Sequence, residues 1–367
     1  MHTARRDTKE RTEATSAMLR QQGVETLVLA SNGLHLIDVP NPLAHLTGFR
    51  SRGVALAVLS ADGCKLLVTP DEAADSLPDG AVMSTDLPAA LAALVQQGGP
   101  LAWVGLDALP HEAAAALVSA TQRHPVMLDG FFDAATGWKT ARELDAARRA
   151  TVIAEQGFEQ MLALARPGMR ECDLAVAVNL AMRALGAADS FTMLCASPHN
   201  PAVMPSSERP LQRGDVILVE LSPVVDGQFV QICRTATIGP APAGMQQAYQ
   251  LLVDAMQEGF EAARPGVPVS AICDAIDGRM AAAGYAEFSR PPHLRRRGHG
   301  LGGGSIFPGD VAFDNPALLA PDMFFVVHPN QFLPGVGYMM CGEPLLITAT
   351  GHEVLSRTQA RLHQIDA

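Results

Sequence analysis

The feature that most limits the fold of this chain is a repeat in its second part. Arg166-Pro167-Gly168 is followed eighteen residues after its glycine by Gly186, and Arg264-Pro265-Gly266 is followed eighteen residues after its glycine by Gly284. Between each pair of glycines the apolar residues recur at helical spacing, and each unit then runs on into loops and apparent strands. The same order of breaker, helix and strand, met twice, predicts two similar αβ halves that pack on each other.

The first part of the chain reads differently. Residues 1–21 are polar with helical spacing and predict an amphipathic helix, Thr26–Ala30 a buried strand, and Asn41–Phe49 a loop. Val54–Leu59 and Lys65–Thr69 flank Ala-Asp-Gly, a hairpin turn in which glycine supplies positive φ. Alanine-rich segments at 87–97 and 111–121 alternate with Trp103-Val-Gly and Pro125-Val-Met-Leu, which predicts an α/β domain. A boundary is expected near Gly137-Trp138-Lys139-Thr140, ahead of a long helix over Ala141–Ala165. At 367 residues the chain suits two domains, 1–138 and 139–367.

Charge and cysteine usage narrow the function. A formal net charge of −11 argues against binding nucleic acid or an anionic membrane, since neither phosphates nor lipid headgroups are attracted. The local exception is Arg295-Arg296-Arg297, read either as a solvated loop or as an anion contact. Six cysteines are scattered without CxxC spacing, so reduced thiols in the cytoplasm are expected rather than a disulfide or zinc framework. No leader and no run of transmembrane length is read.

Chemistry-bearing residues fall in four stretches. They are Gly214-Asp215 to Glu220, Asp226-Gly227 to Gln231-Ile-Cys233-Arg234-Thr235, Arg297-Gly298-His299-Gly300-Leu301-Gly302, and Met323 to His328-Pro329-Asn330, with Gly342-Glu343 and Gly351-His352 beyond. Glycines on both sides of His299 let backbone approach a ligand closely while the imidazole is presented. Glu220 and Gln231 lie eleven apart on two apparent strands joined at Asp226-Gly227, and antiparallel pairing would put both on one face.

In that order the stretches resemble the pita-bread family of methionine aminopeptidases, Xaa-Pro aminopeptidases, prolidases and creatinase. The resemblance extends to the first domain through His45-Leu46-Thr47-Gly48-Phe49. It implies an α/β N-terminal domain followed by an α+β pita-bread domain with an internal pseudo-twofold repeat. It also implies that Glu220 and Gln231 stand where the peptidases carry two metal-bridging aspartates, and that His299 matches their metal-binding histidine. His328 stands in place of a glutamate and Gly342 in place of the last bridging glutamate, with Glu343 one position away. His199 is the candidate for a further histidine ahead of the Gly-Asp motif.

With one carboxylate left among five ligand positions, a pair of dications is not balanced. The first expectation is therefore a metal-independent, creatinase-like hydrolase or lyase without cofactor, cutting a non-peptide C–N bond of a small zwitterion. In it Glu220, His299, His328 and Gln231 would be catalytic. The second is a metal-dependent, aminopeptidase-like hydrolase with one ion on Glu220, His299 and His328. The third is a non-catalytic binding protein. The family's habit implies a homodimer with a shared site, to which Phe49 and Arg52 (or Arg50) would contribute substrate contacts, with His199.

Overall fold

The computed structural model describes residues 2–34, 40–95, 99–291, 293–358 and 360–366. They form two compact units, Met1–Gly137 with Gly303–Phe307, and Trp138–Gly302 with Pro308–Ala367.

The first unit begins with α1 (His2–Gln21) and β1 (Thr26–Ser31), then α2 (Pro42–Thr47), β2 (Ala55–Ser60), β3 (Gly63–Val68) and β4 (Val82–Met83). It continues through α3 (Leu87–Leu94), β5 (Leu101–Val104), α4 (His111–Thr121), β6 (Val126–Met127) and α5 (Asp129–Thr136). Among the described residues the strands make one six-stranded sheet in the order β4-β3-β2-β1-β5-β6. β1 is buried on both faces: Leu27 and Leu29 enter one apolar cluster, Val28 and Ala30 the other. The Ala-Asp-Gly turn closes the expected hairpin, with Ser60 opposite Gly63.

Asn41–Phe49, expected as a loop, carries the short helix α2. Asn41 accepts from the Ala44 backbone N–H at 2.9 Å, Pro42 pre-sets the first helical φ, and Gly48 closes the helix in the left-handed region at φ 70°. These are ordinary start and stop signals on a run too short to show helical periodicity.

The second unit opens on α6 (Ala141–Leu164), started by a capping box in which Thr140 and Glu143 satisfy each other's backbone N–H groups. Then come α7 (Glu171–Ala184), β7 (Asp189–Ser197), β8 (Val216–Val225), β9 (Gln228–Phe229) and β10 (Ile232–Ile238). The second half follows with α8 (Met245–Ala262), α9 (Ser270–Ala282), β11 (Gly298–Gly300), β12 (Phe324–Val327), β13 (Gln331–Leu333) and β14 (Gly337–Met339). β15 (Glu343–Ile347), β16 (His352–Val354) and β17 (His363–Ile365) end it. One sheet runs β17-β10-β8-β7 with β9 on β8, a second runs β11-β12-β15-β16, and β13 pairs with β14.

The sequence repeat is a repeat of backbone. Gly168 N–H donates to Leu211 O and Gly266 N–H to Leu319 O, both at 2.8 Å. Glu171 and Cys172 donate to Arg209 O and Ser207 O, as Val269 and Ser270 donate to Ala317 O and Asn315 O. Gly214 takes positive φ before β8, and Asp322 takes it before β12. The two halves join where Cys233 and Gly342 exchange both backbone hydrogen bonds at 3.1 Å.

Of the arginine run only Arg295 is exposed as a solvated loop would be, and its two neighbours are engaged by carboxylates. Arg297 is fully buried, paired with Asp277 at 2.7 Å and bonded to Gln331 at 2.9 Å, and Arg296 meets Asp310 at 2.7 Å. Arg297 directly precedes the fully buried β11 and is covered with it, and a buried guanidinium requires such partners.

Candidate active site

Strand register assembles the site from both halves of the second unit. In the first, Glu220 on β8 lies opposite Cys233 on β10. Continuing that register places Gln231 opposite Ser222, so Gln231 is the diagonal neighbour of Glu220 on the same face. In the second, His299 on β11 lies opposite Val326 on β12, and His328 follows two residues later on the same side. The two imidazoles stand with ring centroids 5.5 Å apart, roughly edge to face. The structure thus brings His299 and His328 together.

Cys233, to which the sequence reading gave no role, is the hub. Its Sγ accepts from Gln231 Nε2 at 3.5 Å and Asn330 Nδ2 at 3.9 Å, and lies 4.0 Å from Glu220 Oε1. Burial, and then the charge of Glu220, push this thiol well above its ordinary range, so it stays protonated. Gln231 was expected to donate to a substrate, but its amide already donates to sulfur. Nothing in the spacing of the cysteines could have shown this, because the contacts arise from strand pairing.

Gly342 has a structural reason for lacking a side chain. A Cβ there would stand 2.6 Å from His328 Cβ and 3.1 Å from Cys233 Sγ. Glu343 does not shift into the site: its carboxylate forms a buried ion pair with Arg234 at 2.9 Å. Arg234 also donates to Gly342 O at 2.9 Å, and Thr235 exchanges hydrogen bonds with Met340. Losing one partner of such a buried pair typically costs about 3–5 kcal/mol.

The protonation states follow from the surroundings. His299 Nδ1 lies 3.0 Å from Gly300 O; a carbonyl only accepts, so Nδ1 carries a proton. Burial, with the charge of His299 next, holds His328 well below its ordinary pKa, so its imidazole is neutral. His328 Nδ1 and Asn330 Oδ1 are both buried without a hydrogen-bond partner. Tyr338 is raised by burial and then by Glu220, which puts its hydroxyl within electrostatic reach of the carboxylate.

His199 is exposed and packs edge-on against Phe332 at 5.8 Å, beside Gly337. Phe49 is packed into the core of the first unit, and Arg52 is exposed with its backbone N–H on Glu72. Among the described residues no three His, Cys, Asp or Glu side chains form a group that could hold a metal ion.

Comparison with known proteins follows the same lines. Residues 145–349 match the description "Metallopeptidase family M24". The "Probable dipeptidase PepE" of Mycobacterium tuberculosis is 26% identical over 84% of this chain and 86% of its own length. The crystal structure of dipeptidase PepE from Mycobacterium ulcerans superposes with a TM-score of 0.82 at 24% identity, covering 98% of each chain. Xaa-Pro dipeptidase from Bacillus anthracis gives 0.83 at 20%, covering 97% of this chain and 99% of that one.

Proposed function

The chain belongs to metallopeptidase family M24 and has its pita-bread fold, and from that premise we propose that it is a hydrolase of short peptides, of dipeptidase type. The creatinase-like expectation, a metal-independent enzyme cutting a non-peptide C–N bond, is overturned. The family is one of metallopeptidases, and the relative matching most of the chain is named a dipeptidase. The second expectation, a metal-dependent, aminopeptidase-like hydrolase using Glu220, His299 and His328, is the one these findings favour.

The ligand positions depart from what the metals implied by the family require. Gln231 is neutral and turned to sulfur, Gly342 offers no ligand, and Glu343 is consumed by Arg234, so the residues do not fit a two-metal centre. His299 and His328 are disposed as two ligands of one ion could be, but as placed no third His, Cys, Asp or Glu among the described residues completes a site.

The observation that supports the reading is the meeting of His299 and His328, ring centroids 5.5 Å apart, within the stretch that matches the family. In the proposed reaction His299 Nε2 takes a proton from water as its oxygen attacks the amide carbonyl, then returns that proton to the leaving amine as the C–N bond breaks. Glu220 orients the water. The first unit would cover the site of a second chain in a homodimer through the exposed Arg52, while Phe49, expected to share that role, is committed to its own core. Six unpaired cysteines support a cytoplasmic setting, and no helix among the described residues is long and apolar enough to cross a membrane.

A dipeptide panel that includes Xaa-Pro substrates, assayed after chelation and with zinc, manganese or cobalt supplied, tests this. Turnover is expected, with a loss of at least about 100-fold in His299→Ala and Glu220→Gln. No cleavage of any peptide under any metal condition would sink the proposal.

A further inference from the structure

The two halves of the second unit repeat one backbone, so a difference between matching helices is not demanded by the fold. Taking Gly168 with Gly266 and Gly186 with Gly284, α7 corresponds to α9. The inward faces keep the same chemistry: Leu174, Val178 and Met182 are buried, as are Ile272, Ile276 and Met280. The outward faces do not. Val176 and Leu180 stand on α7 at 57% and 62% exposure, where α9 carries Asp274 and Gly278, both exposed too. A single exposed leucine needs no explanation. Two branched apolar side chains four residues apart lie together on one side of a helix, and the same backbone does without them in its other copy.

The stripe has a symmetry of its own. Val176 and Leu180 lie two residues to either side of Val178, and Asp173 and Arg183 lie five to either side. All four are exposed, and the two charges are about 15 Å apart along the helix axis. Laid antiparallel against a second α7, the stripe meets its own complement. Asp173 of one copy then faces Arg183 of the other at both ends, and Val176 faces Leu180 between them. A parallel arrangement would set acid against acid and base against base. α9 has no such face, because Ala271 and Ala281 stand there in place of the two charges.

Both charges already have company within the chain: Asp173 lies 2.8 Å from Arg170, and Arg183 lies 3.0 Å from Asp189. All four side chains are about half exposed, so these pairs hold little energy and remain open to further partners. We propose that α7 is an interaction surface for a second copy of this chain, the two helices lying antiparallel about a two-fold axis at the level of Val178. Such a contact is isologous and closes on itself. Built around one helix of 14 residues, it belongs with the small specific interfaces, and a Kd on the order of 1–100 μM is expected. It is independent of the role given to Arg52, which lies in the first unit.

Sedimentation equilibrium of the full chain over a concentration series tests this. The wild type is expected to show a reversible doubling of mass, and Leu180→Glu to weaken that step at least about tenfold. Leu318→Glu, the same change at a leucine 60% exposed elsewhere on the second unit, is expected to leave it unaltered. Asp173→Arg and Arg183→Asp each weaken the step, and the two together restore it, since every reversed end then faces its opposite. Arg52→Ala leaves the Leu180-dependent step in place. Thermal melts close to the wild type's are expected for all of these, because each position is exposed. A mass that does not depend on Leu180, an equal loss in Leu318→Glu, or a double reversal no stronger than the single ones overturns the proposal.

Discussion

His363 lies edge-on to Phe158 at 4.9 Å, and burial, followed by repulsion from Arg361 and Arg234, lowers its pKa from 6.5 to about 4. His328 is lowered too, chiefly by burial. A histidine depressed in the folded state refuses protons that the unfolded chain accepts, so its effect on stability is absent above about 6.5 and grows unfavourable as pH falls below it. For His363 the window is 6.5 down to about 4. The melting temperature should therefore fall across this range, and His363→Gln should flatten the fall; an unchanged slope in calorimetry counts against the assignment. Other residues carried less in the sequence than they do in the fold. Glu343 reads as a ligand one place out of step, and only Arg234 beside it shows why it stays there. Cys233 reads as one of six scattered thiols, because its partners Glu220, Gln231 and Asn330 are set by register rather than by spacing.

β11 is three residues long, and its first, Gly298, holds φ at 152° where a Cβ would overlap Val326 O. This close approach lets β11 pair with β12 and sets His299 beside His328. Gly298→Ala should cost roughly 1–3 kcal/mol in urea denaturation and reduce activity further than stability alone explains. Gly278→Ala is the control, since a Cβ there meets nothing on α9 and alanine favours helix. A Gly298 variant as stable and active as the control would show that the close approach has no such role. The glycine pairs at 168/186 and 266/284 were legible because each ends or starts a helix with positive φ, and this backbone demand leaves a mark in the sequence. α2 was not legible, since six residues give no period to read. The burial of Arg297 was hidden for a related reason: three arginines in a row look solvated, and only the distant partners Asp277 and Gln331 mark the last of them as buried.

At the scale of the whole molecule the proposed homodimer makes its own prediction. If Arg52 of one chain serves the site of another, mixing inactive Arg52→Ala and His299→Ala chains restores activity in the mixed dimers. With exchange of subunits confirmed by mass spectrometry, no recovery would place the whole site within one chain. Within each chain, the seam at Cys233 and Gly342 joins two halves whose backbones repeat while their side chains do not. Gly214 and Asp322 turn the chain at matching points, and six residues after each stands Glu220 in one half and His328 in the other. Under the proposed function a substrate lying across the seam would meet a carboxylate on one side and a neutral imidazole on the other. Its two ends would not be interchangeable: a frame able to hold a molecule either way round would have been given a direction, telling head from tail before any bond is broken.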